Sequence, residues 1–342
     1  MSKENINQSD ELLLSLKELD NQTAMIINKK IKLLQCLEKS LANTDKKLRK
    51  RTLEVASSHI RADDIAKTSL IRLFKQESIA IPGSSSFKKM MVIAARRRQL
   101  SKFDHAWLLD NKKKAYDFVD KHNIKRPKIY IDGASINDIK ITENTVIKPL
   151  HGGSSKGVFI IGNNNKAFDV QNGRKISTDD VKHYILDLLK NRVIKVDNWI
   201  VEEYVGDIID NQFTPPRDIK FYSFFGNIGL VLEVDRSSEA QYCFFNNNGE
   251  VVQPGKHKRA NFIGNGFSSD ELKLAKSLSE NIFSPFIRID FLKSSKGFFF
   301  GEFTPVPGPF DKFNDDFDKY LGDLYLEAES RIFSHAASAI RN

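Results

Sequence analysis

Lys148 and Lys156 bracket a loop whose residue types could hold phosphate. The stretch Val146-Ile147-Lys148-Pro149-Leu150-His151-Gly152-Gly153-Ser154-Ser155-Lys156-Gly157-Val158-Phe159-Ile160-Ile161 sets three glycines and two serines between two apolar, β-prone runs. Strand, glycine-rich loop, strand can expose backbone N–H groups to a polyphosphate, and the lysines add charge. Glycine lets the backbone approach closely and take positive φ. Alone, such a Gly/Ser turn is more often a plain hairpin. It is not a Walker A loop: Gly152 and Gly157 have the spacing, but Val158 stands where that pattern needs lysine.

Three downstream segments strengthen the reading. Trp199–Val205 is an apolar strand carrying Glu202 and Glu203. Arg217–Gly226 is a strand with charge at its start and aromatics after it. Ile287–Leu292, a turn at Lys293–Gly297 and Phe298–Pro309 form a hairpin with Asp290 on one arm and Glu302 on the other. Arg288 and Asp290 are two apart, so strand alternation puts them on one sheet face, and the paired arms can bring both carboxylates to one point.

That order of segments resembles the ATP-grasp superfamily. The finer pattern of Arg288-x-Asp290-Phe291, a short turn, Phe300-Gly301-Glu302-x-Thr304 and a late Asp318-x-Tyr320-Leu321-Gly322 resembles its TupA-like branch, associated with teichuronopeptide and other surface-polysaccharide biosynthesis. The resemblance spans residues 85–330. It implies an α+β fold with a nucleotide cleft between two α+β subdomains, 146–206 and 207–342. A helical, coiled-coil-like segment (1–82) and a small mixed region (83–145) precede them.

The resemblance also implies roles, with ATP and Mg²⁺ as cofactors. Lys148 and Lys156 neutralise phosphate oxygens, covered by the backbone of Gly152, Gly153, Ser154, Ser155 and Gly157. The hinge Glu202, Glu203, Tyr204 and Val205 recognises adenine or ribose. Arg217 and Lys220 face the transferred phosphate, and Arg288 holds the same developing charge with a planar fork. Asp290 and Glu302 ligate Mg²⁺, a hard ion that suits carboxylates and ATP phosphates. Thr304 stands where many ATP-grasp ligases carry an Asn ligand, which leaves a second metal position in question. The implied activity is an ATP-dependent carboxylate–amine ligase working through an acyl phosphate, joining an amino acid to a uronic acid or amino sugar of a surface glycan. A sugar kinase on the same fold and a non-catalytic nucleotide-binding scaffold are the alternatives. Retention of Lys148, Arg288, Asp290 and Glu302 together argues against the scaffold.

Composition sets bounds on the rest. The 342-residue chain carries a net charge of +9, which favours acidic partners. Arg96-Arg97-Arg98 comes with no recognition module, so no nucleic-acid partner is expected. Cys36 and Cys243 are far apart in dissimilar contexts, and neither a CxxC nor a His-Glu-x-x-His motif is present, which speaks against zinc. No apolar signal core or membrane-length run occurs, so a cytoplasmic protein is expected.

Residues 10–78 lack Gly and Pro. Within them Leu12, Leu16, Leu19, Thr23, Ile26, Lys30, Leu33 and Leu37 step by four and three, a heptad-like seam. A two-helix hairpin and a dimeric coiled coil that joins two copies explain it equally. Ser9 or Asp10 is the expected cap. The basic run Lys46–Arg51 reads as a solvated face, with contact to anionic lipid or glycan as the sharper alternative. Ile81–Ser86 breaks the chain. Beyond it, helices are expected over Lys88–Leu109, Asn111–His122, Asp179–Asn191, Glu271–Asn281 and Asp315–Arg331, with a strand at Lys128–Ile131.

Overall fold

The computed structural model describes residues 3–65, 68–81, 84–101, 104–151, 155–209, 212–237, 239–257 and 262–341. The chain divides into two compact units, residues 1–86 and 87–342.

The first unit is helical: α1 (Lys3–Leu41), α2 (Lys46–Ser57) and α3 (Thr68–Gln76). Ser9 and Asp10 lie inside α1, so neither caps it. Asp45 caps α2 by accepting the Leu48 N–H at 3.0 Å. The core is small, with Leu41, Leu53, Ile60, Leu70 and Phe74 buried and Leu34 and Leu37 packed against them. Two ion pairs fasten it, Lys30–Asp64 and Arg49–Glu77, each at 2.6 Å. The earlier part of the seam has no cover within the unit: Leu12, Leu16, Leu19, Ile26 and Leu33 are 58–70 % exposed. Lys46, Lys47, Lys50 and Arg51 are exposed as well.

The second unit opens with α4 (Phe87–Leu100), α5 (His105–Leu108) and α6 (Lys112–Lys121). The single helix expected over Lys88–Leu109 is therefore two, because Asp104 takes extended backbone and caps α5 through the Trp107 N–H. There follow β1 (Ile129–Ala134), β2 (Thr145–Pro149), β3 (Phe159–Ile161), β4 (Lys166–Asp169), β5 (Arg174–Ser177), α7 (Thr178–Lys190), β6 (Trp199–Glu203), β7 (Asp207–Ile209) and β8 (Gln212–Thr214). The chain ends with β9 (Arg217–Phe224), β10 (Asn227–Asp235), β11 (Gln241–Phe245), β12 (Val251–Val252), α8 (Ser269–Glu280), β13 (Ile287–Ser294), β14 (Gly297–Thr304) and α9 (Asp315–Arg341).

Two six-stranded antiparallel sheets carry this unit, in the orders β1-β6-β2-β3-β4-β5 and β12-β11-β10-β9-β13-β14. Strand alternation divides the first sheet. Ile147, Phe159, Ile161, Trp199 and Val201 pack with Val181 and Ile185 of α7. Their neighbours Val146, Lys148, Ile160 and Glu202 line a cleft instead.

The second sheet is covered on both faces. Ile219, Phe221, Ile289 and Phe291 pack with residues of α6 and α8, while Tyr222, Phe224, Leu230 and Leu232 pack with α4 and α9. Burying each such phenylalanine contributes roughly 1.5–3 kcal/mol. Gly229 admits α9 closely: an added Cβ would lie 2.6 Å from Leu324. Among the described residues no helix is long and apolar enough to cross a membrane.

Candidate functional site

A cleft of ≈ 700 Å³ lies in the second unit, walled by the open face of the first sheet and by β9, β10, β13 and β14 of the second. Its first wall is organised by Lys148. The Lys148 ammonium donates to Glu202 Oε1 at 2.6 Å and to the Tyr116 hydroxyl at 3.1 Å, and that hydroxyl donates to Glu202 Oε2 at 3.2 Å. Burial would push the Lys148 pKa down, but the Glu202 carboxylate and Tyr116 outweigh it and hold it above the ordinary value. Lys112, one turn before Tyr116 on α6, also lines the cleft. Burial and the Lys148 charge lower its pKa.

The loop after Lys148 is described only in part. Gly152, Gly153 and Ser154 lie outside the described residues. Ser155 and Lys156 line the cleft, Ser155 with φ +58°. Gly157 has φ +70° and backs onto the Trp199 ring, which an added Cβ would meet at 3.2 Å. The hinge residues Glu202, Glu203, Tyr204 and Val205 all border the cleft, yet many of their polar groups are engaged. Glu202 is held by Lys148, and Glu203 accepts the Lys128 N–H at 3.2 Å. Lys296 donates to the Tyr204 carbonyl at 3.0 Å and Ser294 to the Val205 carbonyl at 2.6 Å, which ties the hinge to the β13–β14 turn.

Asp290 is the centre of the second wall. Arg288 donates to it twice, Nε to Oδ1 at 2.7 Å and Nη2 to Oδ2 at 2.6 Å, and Lys220 donates to Oδ2 at 2.5 Å. Strand register builds the cluster, since Asp290 sits opposite Lys220 on β9 and opposite Glu302 on β14. Burial would raise the Asp290 pKa, but Arg288 and Lys220 reverse the effect and lower it. Arg288 also donates to Thr304 Oγ1 at 2.9 Å and lies 3.8 Å from Glu302, whose side chain is 45 % exposed.

Arg217 does not join this cluster. It is three residues from Lys220, so alternation turns it to the other sheet face. There it pairs with Glu233 at 3.1 Å and Asp235 at 3.2 Å and covers the Phe262 ring. Other side chains enter the cleft that the motif order did not single out: Asp218, Tyr222, Arg236, Tyr242, Lys256 and His257. Asp218 and Tyr222 flank Lys220 at two-residue spacing, so alternation along β9 was a usable signal for them. Lys256 and His257 are in irregular chain and carry no such signal.

The donor set fits Mg²⁺ of a particular kind. Two carboxylates directly opposed on paired strands offer hard oxygen ligands, and Mg²⁺ takes one or two of these together with phosphate oxygens and waters. Among the described residues no group of three or more His, Cys, Asp or Glu could enclose an ion. The residues thus suit a metal shared with a nucleotide, not a protein cage.

Two antiparallel sheets facing across a cleft, with a basic loop on one and an Arg-Asp-Glu hairpin on the other, define an ATP-grasp architecture. The TupA-like ATPgrasp family model matches residues 91–326, and the chain belongs to that family. ATP-grasp enzymes use ATP and Mg²⁺. No curated protein matches this chain in sequence. Similar solved structures include a D-alanine–D-alanine ligase from Bacillus anthracis, at 14% identity and a TM-score of 0.40 over 67% of this chain and 70% of that one. The ATP-grasp ligase PsnB with precursor peptide PsnA2 and AMPPNP is similar at 10% identity and a TM-score of 0.38, over 78% of this chain and 70% of that one. An L-amino acid ligase from Bacillus licheniformis is similar at 10% identity and a TM-score of 0.36, over 70% of this chain and 46% of that one.

Proposed function

We propose that the protein is an ATP-dependent carboxylate–amine ligase. A carboxylate oxygen attacks the γ-phosphorus of ATP and ADP leaves. An amine then attacks the acyl carbon, phosphate leaves, the nitrogen loses a proton, and an amide results. The observation that carries the reading is the Arg288–Asp290–Lys220 cluster on one wall of a cleft whose other wall holds Lys148 and Lys156. Cations on both sides of one space stabilise the charge spread over a transferring phosphoryl group and, later, on the phosphate that departs.

Each residue has a part in this reading. Lys148 and Lys156 bind the ATP phosphates, and Glu202 and Tyr116 hold Lys148 in position. Lys220 and Arg288 orient the terminal phosphoryl group against the acid. Asp290 and Glu302 are the residues that would hold Mg²⁺, which when bound neutralises phosphate charge. Arg217, turned away and paired with Glu233, supports β9 and does not touch substrate. The family membership favours a surface-polysaccharide acid or amino sugar as one reactant and an amino acid as the other, made in the cytoplasm where ATP is supplied.

The test is product analysis with ATP, Mg²⁺, candidate amino acids and uronic-acid or amino-sugar acceptors. ADP, phosphate and an amide are expected, and hydroxylamine supplied in place of the amine should trap a hydroxamate. AMP with pyrophosphate would mean adenylation and would overturn the reading. A phosphorylated sugar hydroxyl without amide would replace it with a kinase.

A further inference from the structure

Lys256 is a buried cation with no anion in contact, among the described residues. It is 5 % exposed, and its ammonium donates to the Gly308 carbonyl and, at 3.4 Å, to the Tyr222 hydroxyl. Both acceptors are neutral. Among the described residues no carboxylate lies within 4 Å of it. Burial, and then the Arg288 charge, push its pKa down to about 8, against a smaller opposing pull from the more distant Asp311. A buried ammonium whose contacts are all neutral is costly, and an anionic ligand is what offsets it.

The next residue supplies a second feature. His257 has φ +54°, a conformation that side-chain-bearing residues rarely adopt. This backbone lays the imidazole flat on the Tyr242 ring, with centroids 3.9 Å apart and planes 9° from parallel. Both rings line the cleft beside Lys256. The Tyr222 hydroxyl, its pKa pushed up to about 12 by burial, lies near Arg288, whose charge opposes that rise. The corner is therefore linked through one hydroxyl to the guanidinium that would meet the phosphoryl group.

We infer that this corner seats the acid substrate, its carboxylate on Lys256 and a ring body of the pyranuronic type laid on the Tyr242–His257 stack. A flat C–H face matches an aromatic platform, whereas a short open-chain acid leaves the platform uncovered. The inference rests on the ligase reading for its chemistry, but binding at the corner can be tested apart from turnover.

The experiment is ligand-observed NMR titration of sodium glucuronate and sodium acetate into the full chain with Mg²⁺-ADP, alongside hydroxamate formation from Mg²⁺-ATP. Glucuronate should bind at least tenfold more tightly than acetate. Lys256→Met should weaken glucuronate roughly tenfold to hundredfold, the value of a buried charge-assisted hydrogen bond. Tyr242→Leu should weaken glucuronate about three- to tenfold and leave acetate unchanged. ADP affinity should stay the same in both variants. Loss of ADP affinity in Lys256→Met would assign that lysine to the nucleotide and overturn the inference, as would glucuronate binding that neither variant alters. Absence of glucuronate binding in the unaltered chain also overturns it, whether or not another acid gives hydroxamate. Glucuronate binding that depends on both residues, with no hydroxamate from any acid, upholds the corner and sinks the ligase reading instead.

Discussion

Replacing Lys256 by methionine should make the protein more stable while disabling it. The side chain is 5 % exposed, and its pKa is pushed down to about 8 from the ordinary 10.5. That gap corresponds to about 3 kcal/mol for keeping the ammonium charged in the folded chain at pH 7. The sign follows from linkage. A lysine whose folded pKa is below its unfolded value destabilises the fold at low pH, and the cost fades as pH rises from about 8 to 10.5. Methionine fills a similar volume without charge, but leaves the Gly308 carbonyl and Tyr222 hydroxyl short of a partner, a loss of roughly 1–2 kcal/mol. The net expectation is a gain of about 1–2 kcal/mol at pH 7, which raises Tm by roughly 2–6 °C for a unit of this size. Thermal melts of the two proteins at pH 7 and pH 10 supply the assay. At pH 10 the advantage should vanish or reverse. A variant less stable at pH 7, or an advantage that does not change with pH, would refute the claim that burial of the Lys256 charge outweighs its two neutral hydrogen bonds and the distant Asp311.

Three further outcomes are expected. Asp290→Asn and Glu302→Gln should each abolish ATP turnover with a larger fall in kcat than in nucleotide affinity, and unchanged turnover in both would remove the metal assignment. They should differ in stability: Asp290→Asn strands two buried cations and costs roughly 3–5 kcal/mol, whereas Glu302→Gln, at a half-exposed side chain, should leave the chemical-denaturation midpoint in place. Residues 87–342 expressed alone should fold and bind ADP, because the hydrophobic clusters around both sheets draw only on residues of that unit; an insoluble fragment, or one that binds no ADP, would show that the N-terminal helices belong to the nucleotide fold.

Period-two alternation made much of the second wall legible in advance. Arg288 and Asp290 share a face because they are two apart, but the turn at Lys293–Gly297 by itself would set Asp290 opposite Gly301, and it is a register shift between Asp290 and Phe291 that puts Glu302 there. The same rule, applied to a separation of three, places Arg217 and Lys220 on opposite faces, and the ATP-grasp pattern obscured it by grouping both as basic residues of one strand. The N-terminal seam was equally legible as a helix, since its spacing is local. Whether Leu12, Leu16 and Leu19 are covered was not, because periodicity tells which residues share a face and nothing of what meets it.

Tertiary structure alone decided the rest. Tyr116 comes from a helix 32 residues before Lys148 and reaches it only through packing of α6 against the second sheet. Glu202, an expected ligand of adenine or ribose, proves to be the counter-ion of Lys148, because β2 and β6 are neighbours in the sheet. Lys256 stands in a basic run, and nothing in Gly255-Lys256-His257-Lys258 marks one lysine as buried. Its environment is assembled from β9, β13 and the segment at Gly308, segments far apart along the chain. A strand's own repeat determines which side chains share a face, whereas the charge balance around any one of them depends on long-range contacts that only the folded chain brings together.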